Sequence, residues 1–123
     1  MLINQLVKYN SIDLRLNKLF AALADPTRRS ILGQLSRGEV SVNDLAKPYS
    51  MSVPAISKHL KVLEQAGLIS KTKKAQWRQC RLEVDSLKEA AQWLEKQQML
   101  WENNLDNLDN YLKKVQSTNK DKE

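Results

Sequence analysis

Apolar residues recur along this chain with two different periods, and the period changes where one element gives way to the next. In a first segment from about Asn4 to Leu23, Ile12, Leu16, Leu19, Phe20 and Leu23 fall on one face of a helix. Leu2, Ile3, Leu6 and Val7 either begin that helix earlier or form a separate turn. Asp25-Pro26 interrupts the pattern: Asp25 offers an acceptor to the free N–H groups of a new helix, and Pro26 suits its first position. Ile31, Leu32 and Leu35 make the apolar side of this second helix, and Gly38 ends it after Arg37. Gly33 costs about 1 kcal/mol against Ala in a helix interior, so its presence implies close packing there. Ser41 reads as the N-cap of a short helix from Val42 to about Lys47, with Asp44 near the third position and Pro48 helping to stop it. After a turn at Tyr49-Ser50-Met51, Ser52 caps a helix from about Val53 to Ala66, which has Pro54 in its first turn and Gly67 at its end. At about 100° per residue, Leu60 and Leu63 fall within about 40° of Ile56, while Pro54, Lys58, Lys61 and Gln65 face the other way.

Beyond Gly67 the period becomes two. Leu68 to Lys73 reads as a strand, Lys73-Lys74-Ala75-Gln76 as a basic turn, and Trp77 to Val84 as the return strand. A two-stranded hairpin is marginal in water by itself, so it must lean on the helices. A short helix, a tight turn, a helix with a basic outer face and a Lys-tipped hairpin together make a winged helix-turn-helix. Asp85 reads as the cap of a last, long helix. Ala91, Leu94, Gln98, Trp101, Leu105, Leu108, Leu112 and Val115 alternate spacings of three and four without a break, the pattern of a coiled-coil seam. From Asp85 to Val115 such a helix would be about 46 Å long, more than one small domain can cover. The seam either packs only on the domain's own core or pairs with another chain along its distal half; the second is expected, with Leu16, Leu19 and Phe20 joining Leu94, Trp101, Leu105, Leu108 and Leu112 in that interface. The expected fold is mainly α with a small β-hairpin wing: one domain over residues 1–116, then a polar, frayed tail over 117–123.

Charge sharpens this picture. The 123 residues carry a net +6. The middle of the chain, residues 26–82, holds eleven bases against Glu39, Asp44 and Glu64, whereas residues 83–123 hold nine acids against six Lys. Such segregation points to a polyanion such as nucleic acid as partner of the middle segment, with a merely solvated basic surface as the alternative; with the winged helix above, the polyanion expected is double-stranded DNA. The single cysteine, Cys80, and single histidine, His59, exclude a disulfide framework and multi-thiolate or multi-histidine metal sites, so neither metal nor cofactor is expected. Ser57 and His59 stand about 200° apart on their helix, with no third member of a triad, which argues against an enzyme. No apolar run approaches the roughly 18 residues that span a bilayer, and the first residues do not resemble a signal peptide. A soluble, cytoplasmic protein without a membrane partner is expected.

The segment Ala22-Leu23-Ala24-Asp25-Pro26-Thr27-Arg28-Arg29-Ser30-Ile31-Leu32 resembles the opening motif of ArsR-type winged-helix repressors. The segment from Met51 to Ile69, MSVPAISKHLKVLEQAGLI, resembles that family's recognition helix and the entry to its wing. With the Trp93-Leu94 and Leu100-Trp101 pattern, the resemblance covers about residues 12–115. It implies a homodimeric bacterial transcription regulator, usually a repressor, that binds an imperfect palindrome. Many members sense metals through a Cys-containing ELCVCDL segment. The matching residues here are Glu39 to Leu45, with Ser41 and Asn43 where the thiolates would be, and neither is a useful soft-metal ligand. The closer likeness is to a branch without metal sensing, of the kind associated with START-like (SRPBCC) proteins.

On this reading Ser52, Pro54, Ala55, Ser57, Lys58, His59 and Lys61 are the candidate DNA contacts of the recognition helix, through base edges or phosphates. Ser52 is first a cap, and His59 lies on the flank between core and groove, where packing and DNA contact are both open. Lys71, Lys73, Lys74, Gln76 and Arg78 are the candidate phosphate or minor-groove contacts of the wing. Thr27, Arg28 and Arg29 begin a helix near the same face, and either arginine could reach phosphate or pair with Glu64 or Asp44. Cys80 reads as a small hydrophobe, with a sensory thiol as the alternative. Trp77 and Trp93 read as core or hairpin anchors. The function expected is a dimeric, sequence-specific repressor. A protein-interaction module on the same scaffold, or a repressor released by an unidentified small molecule, are the alternatives.

Overall fold

The apolar stripe at Leu16, Leu19 and Ala22 is buried along α1 (Ser11–Leu23) in the computed structural model, which describes residues 11–121. The segment from Asn4 to Asn10, with Leu6 and Val7, and the earlier Leu2 and Ile3 lie outside the described residues, as do Lys122 and Glu123 of the expected tail. The chain divides into two units, Met1–Lys88 and Glu89–Glu123.

In the first unit α1 is followed by α2 (Pro26–Leu35), β1 (Val40–Ser41), α3 (Val42–Ala46), a 3-10 turn (Lys47–Tyr49), α4 (Val53–Gln65), β2 (Ile69–Lys74) and β3 (Trp77–Leu82). Three of the caps that the sequence implies are made. Asp25 accepts the N–H of Arg28 at 3.0 Å, Ser41 that of Asp44 at 3.2 Å, and Ser52 that of Ala55 at 3.3 Å. Each satisfies one of the donors a helix start leaves free. Ile31, Leu45, Ile56, Leu60, Leu63, Leu68 and Cys80 are fully buried and, with Leu16, Leu19 and Ala22 of α1, make one core shared by four helices and the sheet. A fully buried aliphatic side chain of this kind contributes about 1.5–3 kcal/mol. Pro48 lies inside the 3-10 turn, and α3 has already ended at Ala46. Tyr49 ties that turn to α2, accepting from Gln34 Nε2 at 2.8 Å and donating to Ser30 Oγ at 2.7 Å.

The hairpin is not two-stranded. Val40 and Ser41 pair antiparallel with Cys80 and Gln79, giving a three-stranded sheet in the order β1-β3-β2. A two-residue strand shows no period, which is why the alternation in sequence does not reveal it. β2 and β3 pair from Ile69 opposite Leu82 to Lys74 opposite Trp77, leaving Ala75-Gln76 as the turn. Ala75 has φ +53°, a left-handed conformation that a two-residue hairpin needs and that a Cβ disfavours.

Three further expectations are corrected. Gly33 makes no close contact: a Cβ there would meet nothing within 4 Å. Asp85 is not the cap of the last helix, because α5 starts one residue earlier and runs Val84–Asp121, with Asp85 inside its first turn. That helix also continues beyond Val115. Leu16 and Leu19, expected at an interface between chains, are 5% and 4% exposed and belong to the protomer's own core. On α1 the exposed large apolar residues are instead Ile12 and Leu14.

The described part of the second unit is helical, the continuation of α5. Leu94, Leu100, Trp101, Leu105, Leu108, Tyr111 and Leu112 are all at least half exposed or nearly so along it.

Candidate nucleic-acid interface

α3, the 3-10 turn and α4 form the helix-turn-helix, and the amphipathicity of α4 decides which side chains it can present. Ile56, Leu60 and Leu63 are 0% exposed, so Pro54, Lys58 and Lys61 must lie on the opposite, open side, as must the cap Ser52. Ala55 and Ser57 are half-buried along its edge. Lys58 and Lys61 make no ion pair among the described residues, so their charge is directed to solvent.

The start of α2 does something different from what its charge suggests. Arg28 donates from Nε to Ala22 O at 2.7 Å and from a terminal nitrogen to Ala21 O at 3.1 Å, and Arg29 donates to Leu23 O at 2.7 Å. Both arginines therefore cap the last carbonyls of α1, where a cation also meets the negative end of the helix dipole. Neither pairs with Glu64 or Asp44. Arg28 also comes within 3.5 Å of His59 Nδ1, which lies 3.9 Å from Asp25 Oδ2. His59 thus ties α4 to the junction of α1 and α2. The N–H of Arg28, helped by the charges of Arg28 and His59 and the N–H of Thr27, holds the Asp25 carboxyl below the usual range. Thr27 is half-buried at this junction.

The wing carries Lys73, Lys74, Gln76 and Arg78 exposed, with Lys71 half-buried. Lys74 is paired with Glu39 at 3.1 Å and Arg81 with Glu83 at 3.2 Å, whereas Lys73 and Arg78 have no partner among the described residues. Glu83 accepts from Ser70 at 2.7 Å, which with Arg81 lowers its carboxyl below the usual range. Asp44 is lowered likewise, by the bond from Lys47 first and that of Ser41 second. Cys80, on the middle strand, is fully buried, and burial pushes its thiol up. Full burial fits Cys80 as a small hydrophobe of the core.

Between α4 and the wing lies a groove of about 270 Å³. It is lined by Ser41, Val42 and Asn43 at the start of α3, Val53 and Ser57 of α4, and Gln76, Trp77 and Arg78 of the wing. Trp77 is 53% exposed, so it does not anchor the hairpin as expected. The sequence did carry a signal: Trp77 shares strand parity with Gln79 and Arg81, whereas Cys80 and Leu82 define the inward parity. Val53 and Trp77 are the residues of this face that reasoning from charge missed, because neither is basic. Among the described residues no cluster of His, Cys, Asp and Glu could hold a metal ion, and no helix is long and apolar enough to cross a membrane.

Comparison with known proteins agrees with this geometry. Residues 25–71 match the model of a bacterial regulatory protein family, arsR. The chain is 38% identical over 79 residues to the transcriptional repressor SdpR of Bacillus subtilis, covering 64% of this chain and 88% of that protein. An ArsR-like transcriptional regulator from Rhodococcus sp. RHA1 superimposes with a TM-score of 0.70 at 34% identity, over 77% of this chain and 90% of that one. The homodimeric winged helix-turn-helix DNA-binding domain of a possible ArsR-family regulator from Mycobacterium bovis shares the fold, with a TM-score of 0.57 at 24% identity over 68% and 79% of the two chains.

Proposed function

This chain belongs to the arsR family of bacterial regulatory proteins and is a DNA-binding transcriptional repressor rather than an enzyme, and from that premise we propose that it acts as a homodimer on a palindromic operator. The observation that carries the reading is α4: one face wholly buried, the other presenting Lys58 and Lys61, which have no ion-pair partner among the described residues. In the major groove these two lysines, with Ser52, Pro54, Ala55 and Ser57 beside them, reach base edges and the flanking phosphates. The wing's Lys71, Lys73, Lys74, Gln76 and Arg78 grip the adjacent backbone, and Thr27 lies near the same strand. Arg28 and His59 tie α4 to the junction of α1 and α2, and Arg29 holds the end of α1, so these three position the elements that meet DNA. The second copy is held through the exposed seam of α5, with Leu94, Trp101, Leu105, Leu108 and Leu112, helped by Phe20 of α1.

The same reading puts the protein in the cytoplasm and in a branch that does not sense metals, of the kind associated with START-like proteins. Ser41 supports it, since its hydroxyl is buried and engaged in capping α3, and Asn43 beside it is a poor soft-metal ligand.

Selection of randomised duplex DNA by the purified protein at near-physiological salt tests the proposal. A palindrome is expected, with half-sites about one helical turn apart. Two chains carry twice the +6 of one, so affinity should fall steeply with salt. Only salt-sensitive binding, with no sequence enriched, would overturn the reading of α4 as a base-reading helix.

A further inference from the structure

We propose that the groove between the start of α4 and the tip of the wing is a binding site for a small, single-ring aromatic carboxylate, and that this ligand and DNA exclude one another. Size comes first. At about 270 Å³ the groove lies just below the roughly 300–1,000 Å³ of sites for drug-sized ligands, so it admits one ring rather than a fused ring system. Its walls suit a ring. Val42, Val53 and the Trp77 indole supply apolar surface, and the last two are 42% and 53% exposed. A large aromatic left this open has a free face on which a second ring can stack.

Charge selects the anion. Arg78 is the one charged residue of the lining, and no carboxylate faces it. The neighbouring wing cations Lys74 and Arg81 are each paired with a glutamate, whereas Arg78 has no partner among the described residues. A planar guanidinium takes a carboxylate through two parallel hydrogen bonds. The Ser57 hydroxyl and the Gln76 amide, also without partners among the described residues, add donors on either side. A DNA phosphate could satisfy the same donors, but only a ring uses the Trp77 face. The exclusion of DNA rests on the function proposed above, because Ser57, Gln76 and Arg78 are residues assigned there to DNA.

The test uses the full chain in two arms. In the first, benzoate is titrated into isotope-labelled protein, with inorganic phosphate and benzyl alcohol as probes of charge alone and ring alone. The resonances of Ser57, the Trp77 indole and Arg78 should shift and saturate at millimolar benzoate or below, more tightly than with either control. Trp77→Leu and Arg78→Gln should each weaken binding about tenfold or more, with circular dichroism unchanged because both side chains are exposed. Shifts elsewhere, equal affinity in both variants, or phosphate binding as well as benzoate would overturn the site. In the second arm, benzoate should release a labelled duplex at the concentrations that saturate the first, and fail to do so with Trp77→Leu tested on the same duplex. Saturation with unchanged DNA affinity would overturn the exclusion. If the free protein bound no duplex at all, the repressor reading would fall, and the first arm would still decide the site.

Discussion

Leu60 of α4 and Leu105 of α5 stand at matching places in the apolar stripes of their helices, yet Leu60 is 0% exposed and Leu105 50%. The same contrast separates the two units. In the first, the stripes of α1 to α4 converge, and seven large side chains are sealed from water. In the second, the apolar positions of α5 stay open, Trp101 at 67% and Tyr111 at 63%. A contiguous apolar surface of this kind marks a place where something else binds. Periodicity therefore reports that a face is apolar. Whether that face is core or interface depends on whether the chain itself supplies the covering surface.

The largest test of this contrast is at the exposed face. Trp101→Asp or Leu105→Asp should give monomers in sedimentation while the fold is retained. Operator affinity should fall about 10²- to 10⁴-fold as the two half-sites cease to act together. A dimer that survives either change would remove α5 from the interface. The mirror experiment is Leu60→Ala, which should cost about 2–5 kcal/mol in urea unfolding because the cavity has no way to collapse fully. Little loss of stability there would mean that the buried stripe is not what holds the first unit together.

Within that unit, the two faces of α4 should separate cleanly. Lys58→Ala and Lys61→Ala should each cost about 1–3 kcal/mol of operator binding, with unfolding midpoints unchanged. The reverse pattern, stability lost and binding kept, would place them in a structural role. A smaller effect is expected at Gly33, which is helical and exposed with open space at its Cβ position. Gly33→Ala should raise stability by about 1 kcal/mol, and a loss instead would reveal a covering surface that the single chain lacks. Last, acid should act on the first unit through Asp25, Asp44 and Glu83, all with carboxyls held below their usual range. Their contribution is present above the ordinary carboxylate pKa and disappears as pH falls through the lowered values. Urea midpoints should therefore begin to drop below about pH 4.

The junction of α1, α2 and α4 shows what counting charges leaves out. Arg28 and Arg29 stand in a basic segment, and counting charges makes them phosphate ligands. The carbonyls of Ala21, Ala22 and Leu23 claim them first, because a helix end leaves acceptors that need donors. No local pattern announces this, since the partners are six or seven residues away and meet only after the chain turns at Asp25-Pro26. His59 is a longer-range case: its neighbour Arg28 lies 31 positions back.

Local physics was enough for the caps at Asp25, Ser41 and Ser52, the buried face of α4, the basic face opposite, and the seam along α5. Each follows from side-chain chemistry or a period acting within a few residues, so the amino-acid order determines it directly. Tertiary structure alone decided the third strand at Val40-Ser41, the burial of Leu16 and Leu19, the engagement of Arg28, Arg29 and His59, and the groove walled by Val53 and Trp77. These depend on surfaces brought together from distant parts of the chain. Which partner a side chain finds is a property of the packed assembly, because hydrogen bonds and burial are satisfied by whatever lies nearest once the core has closed.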